Sequence, residues 1–399
     1  MKILIAGGGI GGLTAALAML QRGHEVEVYE QAQALTEVGA GVQLSPNGSR
    51  VMFALGVGEQ IAATSCETPG KEIRLWSTGQ AWNPFDLVQE CVERYGFPYF
   101  TVYRPDLLAA LEAAVRAASP GCIRLGRKAE GFEEIKSPGG DRVRLRFTDG
   151  SLAEGDMLLG ADGIHSAIRR QLWGEAKAHF TGIFAWRGVL DTALLPERLC
   201  KPVSTNWVGP GRHVVQYPLR NFKLMNLVGV VEGQHWQQES WTSQGTHAEM
   251  HADFAGWHPD IHLMIDTIKT PFRWAFLARD PLMEWGRGRV TLLGDACHPT
   301  LPFLAQGAVH AVEDAYVLAR ALTEVTESTE AALRRYEAAR VERTARMVRG
   351  STDNTKRFHN PALANAEGAA AYVEREWQPD LVRSRYEWLY SYDPTTVAI

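Results

Sequence analysis

The chain has 399 residues, 45% of them hydrophobic and 22% charged, with a formal net charge of −5. That is long enough to bury one large core or two intimate ones, and the mild acidity argues against nucleic acid or an anionic membrane as the main partner, since either would favour a basic face. Five dispersed cysteines (Cys66, Cys91, Cys122, Cys200, Cys297) form no CxxC pair and no metal-ligand spacing, so a reducing compartment and no metal site are expected.

Residues 1–5 hold one lysine and a short apolar run, without the longer apolar core and cleavage site of a leader. No run reaches the about 20 apolar residues of a membrane span, and the cytoplasm is the expected location. Residues 2–6 read as a buried strand ended by Gly7-Gly8-Gly9, and Leu13, Ala16, Leu17 and Leu20 continue as a helix stopped by Gly23. Val26 and Val28 alternate with acidic residues as a second strand, completing a βαβ unit.

Further on, residues 142–147 alternate cleanly before the turn pair Asp149-Gly150, and residues 212–231 repeat the pattern around Arg220-Asn221. Together these predict an antiparallel sheet set into an α/β framework. A strand over 289–293 ends at Gly294-Asp295, and the chain returns to helix over 308–323. Residues 330–349 are expected as a solvent-facing amphipathic helix, with Arg334, Arg335, Arg340 and Arg343 on its solvated face. No repeat or linker is visible, so two lobes are expected to interleave.

Gly7-x-Gly9-x-x-Gly12 falls between the first strand and the first helix. Its glycines suit a tight turn, close approach to a pyrophosphate and close helix–strand packing, while the helix N-terminus offers N–H groups to phosphate. Glu30 closes the second strand 18 residues after Gly12, where a carboxylate accepts from ribose hydroxyls. This fingerprint alone does not choose between a nicotinamide and a flavin dinucleotide.

Two later motifs do. Asp162-Gly163-Ile164-His165-Ser166-Ala167-Ile168-Arg169 resembles the DG motif of the single-component flavoprotein aromatic hydroxylases, the 4-hydroxybenzoate hydroxylase class, and Gly294-Asp295-Ala296-Cys297-His298-Pro299 resembles their GD motif. The resemblance runs over nearly the whole chain. It is nearest to the 3-hydroxybenzoate 6-hydroxylase, 6-hydroxynicotinate 3-monooxygenase and salicylate hydroxylase group. It implies FAD as cofactor and NADH or NADPH as co-substrate. It also implies a small aromatic acid hydroxylated by O2 through a flavin C4a-hydroperoxide.

The implied fold is a Rossmann-type FAD-binding domain (1–75, 100–175, 275–350) interleaved with an antiparallel-sheet substrate domain (76–99, 176–274) and a C-terminal helical segment (351–399). Asp162 and Asp295 are the implied FAD contacts of the two motifs, Arg104 matches the family arginine near the phosphates, and the segment from Gly39 to Val42 resembles the loop passing the flavin ring. Gly307 and Ala308 open a helix whose N–H groups stabilise negative charge on the ring. No second GxGxxG occurs, so the nicotinamide is expected to bind transiently over the FAD domain. Val309 stands where the family often has Asn, leaving the pyrimidine contact to backbone groups.

Hydroxylation of a phenol calls for a base at the ring hydroxyl. On a strand, His213, Val215 and Tyr217 share one face, so the imidazole and phenol either flank a ligand or pack beneath the sheet. The resemblance favours the first, with His213 as base and Tyr217 assisting. Trp186, in the pair Trp186-Arg187, and the Pro302-Phe303 turn are the expected substrate-pocket wall. His298 is either a capping or a proton-transfer residue, His310 has no assigned role, and the cluster from Tyr386 to Tyr392 reads as packing or a subunit contact in a monomer or homodimer. A flavin-free nicotinamide dehydrogenase and a non-catalytic flavin-binding protein are the alternatives from other classes.

Overall fold

The computed structural model describes residues 1–35, 40–68, 70–136, 141–175, 177–233, 243–325 and 327–399. Gly39, the start of the expected ring-side loop, lies outside them. A five-stranded parallel sheet forms the first lobe, in the order Val290–Leu292, Met157–Gly160, Lys2–Ala6, Glu25–Glu30, Ile123–Leu125. Parallel strands are covered on both faces, which is why Ile3, Leu4 and Ile5 are apolar without alternation and fully buried. The central position of Lys2–Ala6 carries its glycine-rich end to the crevice beyond the sheet, the usual place for a ligand.

Helix Ile10–Leu20 follows and packs on helix Gly307–Glu324. A Cβ on Gly11 would come within 2.6 Å of Leu293 and 3.1 Å of Ala311, so the close contact of these helices needs a residue without a side chain there.

The second lobe is a seven-stranded sheet ordered Phe272–Ala278, His179–Asp191, Leu224–Glu232, Arg212–Leu219, Val203–Gly209, Gly70–Leu75, Ala81–Asp86. Its strands pair antiparallel except Val203–Gly209, which runs parallel to Gly70–Leu75. Gly70–Leu75, inside the expected FAD-binding segment 1–75, and Phe272–Ala278, which spans the expected boundary at 274/275, both hydrogen-bond into this sheet. The hairpin at residues 142–147 does not join it either. With Ala129–Ile135 and Leu152–Gly155 it makes a separate three-stranded sheet. A small sheet of Gly41–Leu44, Phe100–Tyr103 and Cys66–Glu67 forms a fourth unit beside these.

Helix Thr329–Phe358 corrects the solvated arginine face. Arg334 and Arg335 are exposed, but Arg340 is fully buried. Its Nη1 lies 2.6 Å from Glu313 and its Nε 2.7 Å from Asp314, while Arg343 holds Glu313 at 2.8 Å. The physical reason lies on helix Gly307–Glu324, where two adjacent carboxylates are fully buried and require cations. Two carboxylates and two guanidiniums balance in charge. Burial alone raises Asp314, but His298 and Arg340 outweigh it and hold its carboxyl at about 2. The chain ends in helices Ala366–Glu376 and Pro379–Tyr390, which pack beside the second lobe.

Candidate active site

A cavity of about 400 Å³ runs between the lobes. One arm begins at the glycine loop. Gly7 has φ +110°, and a Cβ there would meet the Ala161 carbonyl oxygen at 2.2 Å; a Cβ on Gly12 would meet the Gly7 carbonyl oxygen at 2.0 Å. Gly9 differs: a Cβ would touch nothing within 4 Å, because Gly9 lies on the cavity wall. It caps helix Ile10–Leu20 with no side chain bonded to the helix end, which leaves that end open to an anion.

Glu30 stands behind this loop rather than on the wall, its two oxygens accepting from the Gly8 and Ala32 N–H groups at 2.8 Å each. Asp162 is not on the wall either. Its carboxylate accepts from the Ser166 hydroxyl at 2.5 Å and from the Ala167 and Ile168 N–H groups at 2.8 and 3.3 Å, tying down the start of helix Ala167–Trp173. The neighbours Ala161 and Gly163 reach the cavity in its place.

Arg104 and Asp295 do line this arm, with Val42 beyond them. Asp295 is open to the cavity, and its enclosed position between the lobes raises its carboxyl against the pull of His298, Arg104 and Arg279. Gly294 turns the chain with φ +61°, and its N–H donates to Asp314 at 3.0 Å, so the buried ionic cluster fixes the turn that aims Asp295. Gly307 and Ala308 close the arm at the N-terminus of their helix. The preceding Gln306 does not cap that helix, because its side chain is held by Ser45 and Asn47 at 2.9 and 3.1 Å. Free N–H groups at two helix starts, a cavity-facing carboxylate and an arginine fit the pyrophosphate, sugar-alcohol chain and ring of FAD.

The other arm lies against the seven-stranded sheet. His213 and Tyr217 both line it and are 1% and 5% exposed. Opposite them in register stand Val230 and Asn226, which line the same wall. Asn226 accepts from the Gly41 N–H at 2.9 Å, and a Cβ on Gly41 would strike the Tyr217 ring at 2.4 Å. Glycine at that position lets the loop pass over the phenol. Burial pushes the Tyr217 hydroxyl well up, so it stays protonated. It pushes His213 well below the ordinary imidazole value, with His359 adding to the effect.

Pro302 and Phe303 are on the wall as expected, and Trp186 is not. The reason is strand parity: Trp186 joins Phe184 and Leu190 on the opposite face, fully buried, its indole N–H donating to Asp253 at 2.7 Å. Arg187, one residue on, faces the cavity and is buried against Phe272 and Trp274, with ring centroids 5.6 and 5.4 Å from its guanidinium carbon. Lys71, Arg357 and Arg385 add cations farther along, and Tyr386 closes that end, so part of the C-terminal tyrosine cluster reaches the cavity.

His298 sits in the ionic cluster with Nε2 2.5 Å from Asp314, and His310 is buried beside it. Cys297, His298 and Asp314 bring ligand atoms within 4.8 Å of one another, but the Arg340 guanidinium on Asp314 opposes a second cation there. Among the described residues no helix is long and apolar enough to cross a membrane.

The fold and this site define an FAD-dependent aromatic monooxygenase. The chain belongs to the FAD-binding-domain family, whose sequence model matches residues 1–351. It is 36% identical over 397 residues to a 3-amino-4-hydroxybenzoate 2-monooxygenase, PtnB3, of Streptomyces platensis, covering 99% of this chain and 97% of the relative. It is likewise 36% identical over 399 residues to a 3-hydroxybenzoate 6-hydroxylase of Polaromonas naphthalenivorans, covering 98% and 96%. Among solved structures, Klebsiella pneumoniae HpxO complexed with FAD and uric acid superposes with a TM-score of 0.81 at 29% identity, covering 96% of this chain and 97% of that one.

Proposed function

We propose that this enzyme hydroxylates a small aromatic carboxylate para to an existing ring hydroxyl, with 3-hydroxybenzoate as the best-supported substrate and NADH or NADPH as reductant. The observation that carries the reading is the cavity face of strand Arg212–Leu219, where His213 and Tyr217 stand over the arm that joins the FAD site. FAD, when bound, accepts hydride from the nicotinamide and activates O2 for transfer of one oxygen atom to the ring. The rest falls to the protein. Phe303, Trp274 and the valines of the sheet line an apolar slot that excludes water from the reacting ring. Arg187, the buried one of the four cations on that arm, supplies a counter-charge for the carboxylate.

His213 takes the proton of the ring hydroxyl, which makes the ring electron-rich, and the Tyr217 hydroxyl donates to the oxygen left behind. The role assignments of Gly7, Gly9, Gly12, Arg104, Asp295, Gly307 and Ala308 in holding FAD belong to the same proposal.

6-Hydroxynicotinate also carries one ring hydroxyl and one carboxylate, para rather than meta to each other, and is the first alternative, with salicylate after it. The Streptomyces relative supports 3-amino-4-hydroxybenzoate as a further candidate, oxidised beside its amino group. The test is oxidation of NADH and of NADPH by the FAD-loaded protein across these four acids, with products identified. Rapid oxidation that yields 2,5-dihydroxybenzoate from 3-hydroxybenzoate is the expected result. Stimulation by none of the acids would overturn the reading.

A further inference from the structure

We propose that His359 and Glu232 extend His213 into a proton relay that carries the ring-hydroxyl proton from the cavity to the surface; the inference rests on the hydroxylase reading above. His213 Nδ1 lies 2.6 Å from His359 Nε2, and His359 Nδ1 lies 2.6 Å from Glu232 Oε1. The chain begins at a residue 1% exposed on the cavity wall, passes a histidine side chain 2% exposed, and ends on a carboxylate 51% exposed. It joins strand Arg212–Leu219, the residue capping helix Thr329–Phe358 and the end of strand Leu224–Glu232.

The carboxylate sets the direction of every bond. An ionised Glu232 only accepts, so His359 donates from Nδ1 and its Nε2 carries a lone pair. That lone pair requires His213 to donate from Nδ1, which leaves His213 Nε2 bare for the substrate. An acceptor at the surface thereby selects the tautomer of a base at the cavity.

When the relay fires, the ring O–H bond breaks and an N–H bond forms at His213 Nε2. The Nδ1 proton of His213 passes to His359 Nε2, and the Nδ1 proton of His359 passes to Glu232 and on to water. One proton leaves and no electrons move. Run backwards, the chain returns a proton to the same oxygen as the product ring regains aromaticity, and both tautomers are restored.

Such a path answers a difficulty in the site. Burial pushes both imidazoles down, and only Glu232 pulls His359 back up. His213 otherwise meets the rings of Phe303 and Phe358, at 5.7 and 5.0 Å between centroids. An imidazolium trapped there is costly, whereas a proton delivered to an exposed carboxylate leaves both rings neutral.

Two measurements test the relay. Nitrogen-15 NMR of histidine-labelled, FAD-loaded protein at pH 7.5, with signals assigned by single substitutions, should show both His213 and His359 as Nδ1–H tautomers. An Nε2–H tautomer at His213 would overturn the proposal. The second measurement uses 3-hydroxybenzoate as probe. His359→Phe keeps an aromatic ring in the packing, and Glu232→Gln keeps a hydrogen-bond acceptor that cannot take the proton.

Each variant should lower kcat for hydroxylation about tenfold or more near neutral pH. KM for the probe and FAD content should stay within about twofold, and the loss should shrink as pH approaches that of the free phenol's ionisation. An equal loss at every pH, or a change confined to KM, would mean a packing role only and overturn it. If the wild-type protein fails to hydroxylate the probe, the substrate reading falls, while the tautomers, which need no substrate, still decide the relay.

Discussion

His298 and His213 are both buried among aromatic rings, and both have a ring nitrogen close to a single partner, yet the networks beyond them diverge. His298 meets Asp314, which also takes Arg340 and the Gly294 N–H; Arg340 meets Glu313, and Glu313 meets Arg343. Charges cancel, and the contacts stay inside the core, closed off from solvent. His213 meets His359 and then Glu232, an open line from cavity to surface with a carboxylate at only one end. A closed network holds geometry, here the turn that aims Asp295 and the helix start at Gly307. An open one with matched imidazoles can pass a proton, because among the described residues no Lys or Arg is hydrogen-bonded or ion-paired to its members to bind the charge in place.

Breaking the closed network should give the largest change in stability. Arg340→Ala removes the one guanidinium that meets Asp314 and one of the two that meet Glu313 and should lower unfolding stability by about 3–5 kcal/mol, read from the urea midpoint. Arg334→Ala, on the exposed side of the same helix, should stay within about 0.5 kcal/mol. Comparable losses from both would mean that the cluster contributes nothing special.

Acid titrates the same network. The folded Asp314 value of about 2 lies below its ordinary 3.8, so its stabilisation is complete above roughly pH 4 and is lost as pH falls through about 2. That shift corresponds to on the order of 2 kcal/mol, and thermal melts between pH 2 and 5 should show it. In an Asp314→Asn variant that part of the acid dependence should vanish, and its persistence would assign the loss to other groups.

On the open side, strand parity can be sharpened by two neighbours. Arg187→Gln should raise KM for the ring acid by about tenfold while flavin absorbance per protein is unchanged. Trp186→Phe should leave KM within about twofold, because the indole belongs to the opposite face of the sheet. The reverse pattern would restore Trp186 to the pocket.

What the sequence revealed follows from how local each constraint is. The glycine loop and the GD turn were legible because their demands are on the backbone: a Cβ at Gly7 or Gly12 collides with a carbonyl a few residues or one strand away. His213 and Tyr217 were legible as a pair through strand alternation within one element. Trp186 was misplaced because alternation assigns it a face without saying which face meets the cavity; pairing to Gly229 opposite Phe254 settles that.

The arginine run was misread for a related reason. Its own helix reads as charged, and the clue lay elsewhere, in Glu313-Asp314 on an otherwise apolar helix that has to be buried. His359 gave no signal, since 146 residues separate it from His213 and only the packed fold joins them.

The account's central claim is that His213 removes the ring proton. The direct measurement is hydroxylated product formed per second by wild type and His213→Ala with 3-hydroxybenzoate, at neutral pH and near pH 9.5, with NAD(P)H oxidation followed alongside. A general base contributes about 10²–10⁴-fold, so the variant should lose at least about 100-fold at neutral pH. It should recover part of that loss as the free phenol ionises, near pH 10, and should stay yellow throughout. Unchanged product formation at neutral pH would contradict the claim and leave the imidazole a packing residue.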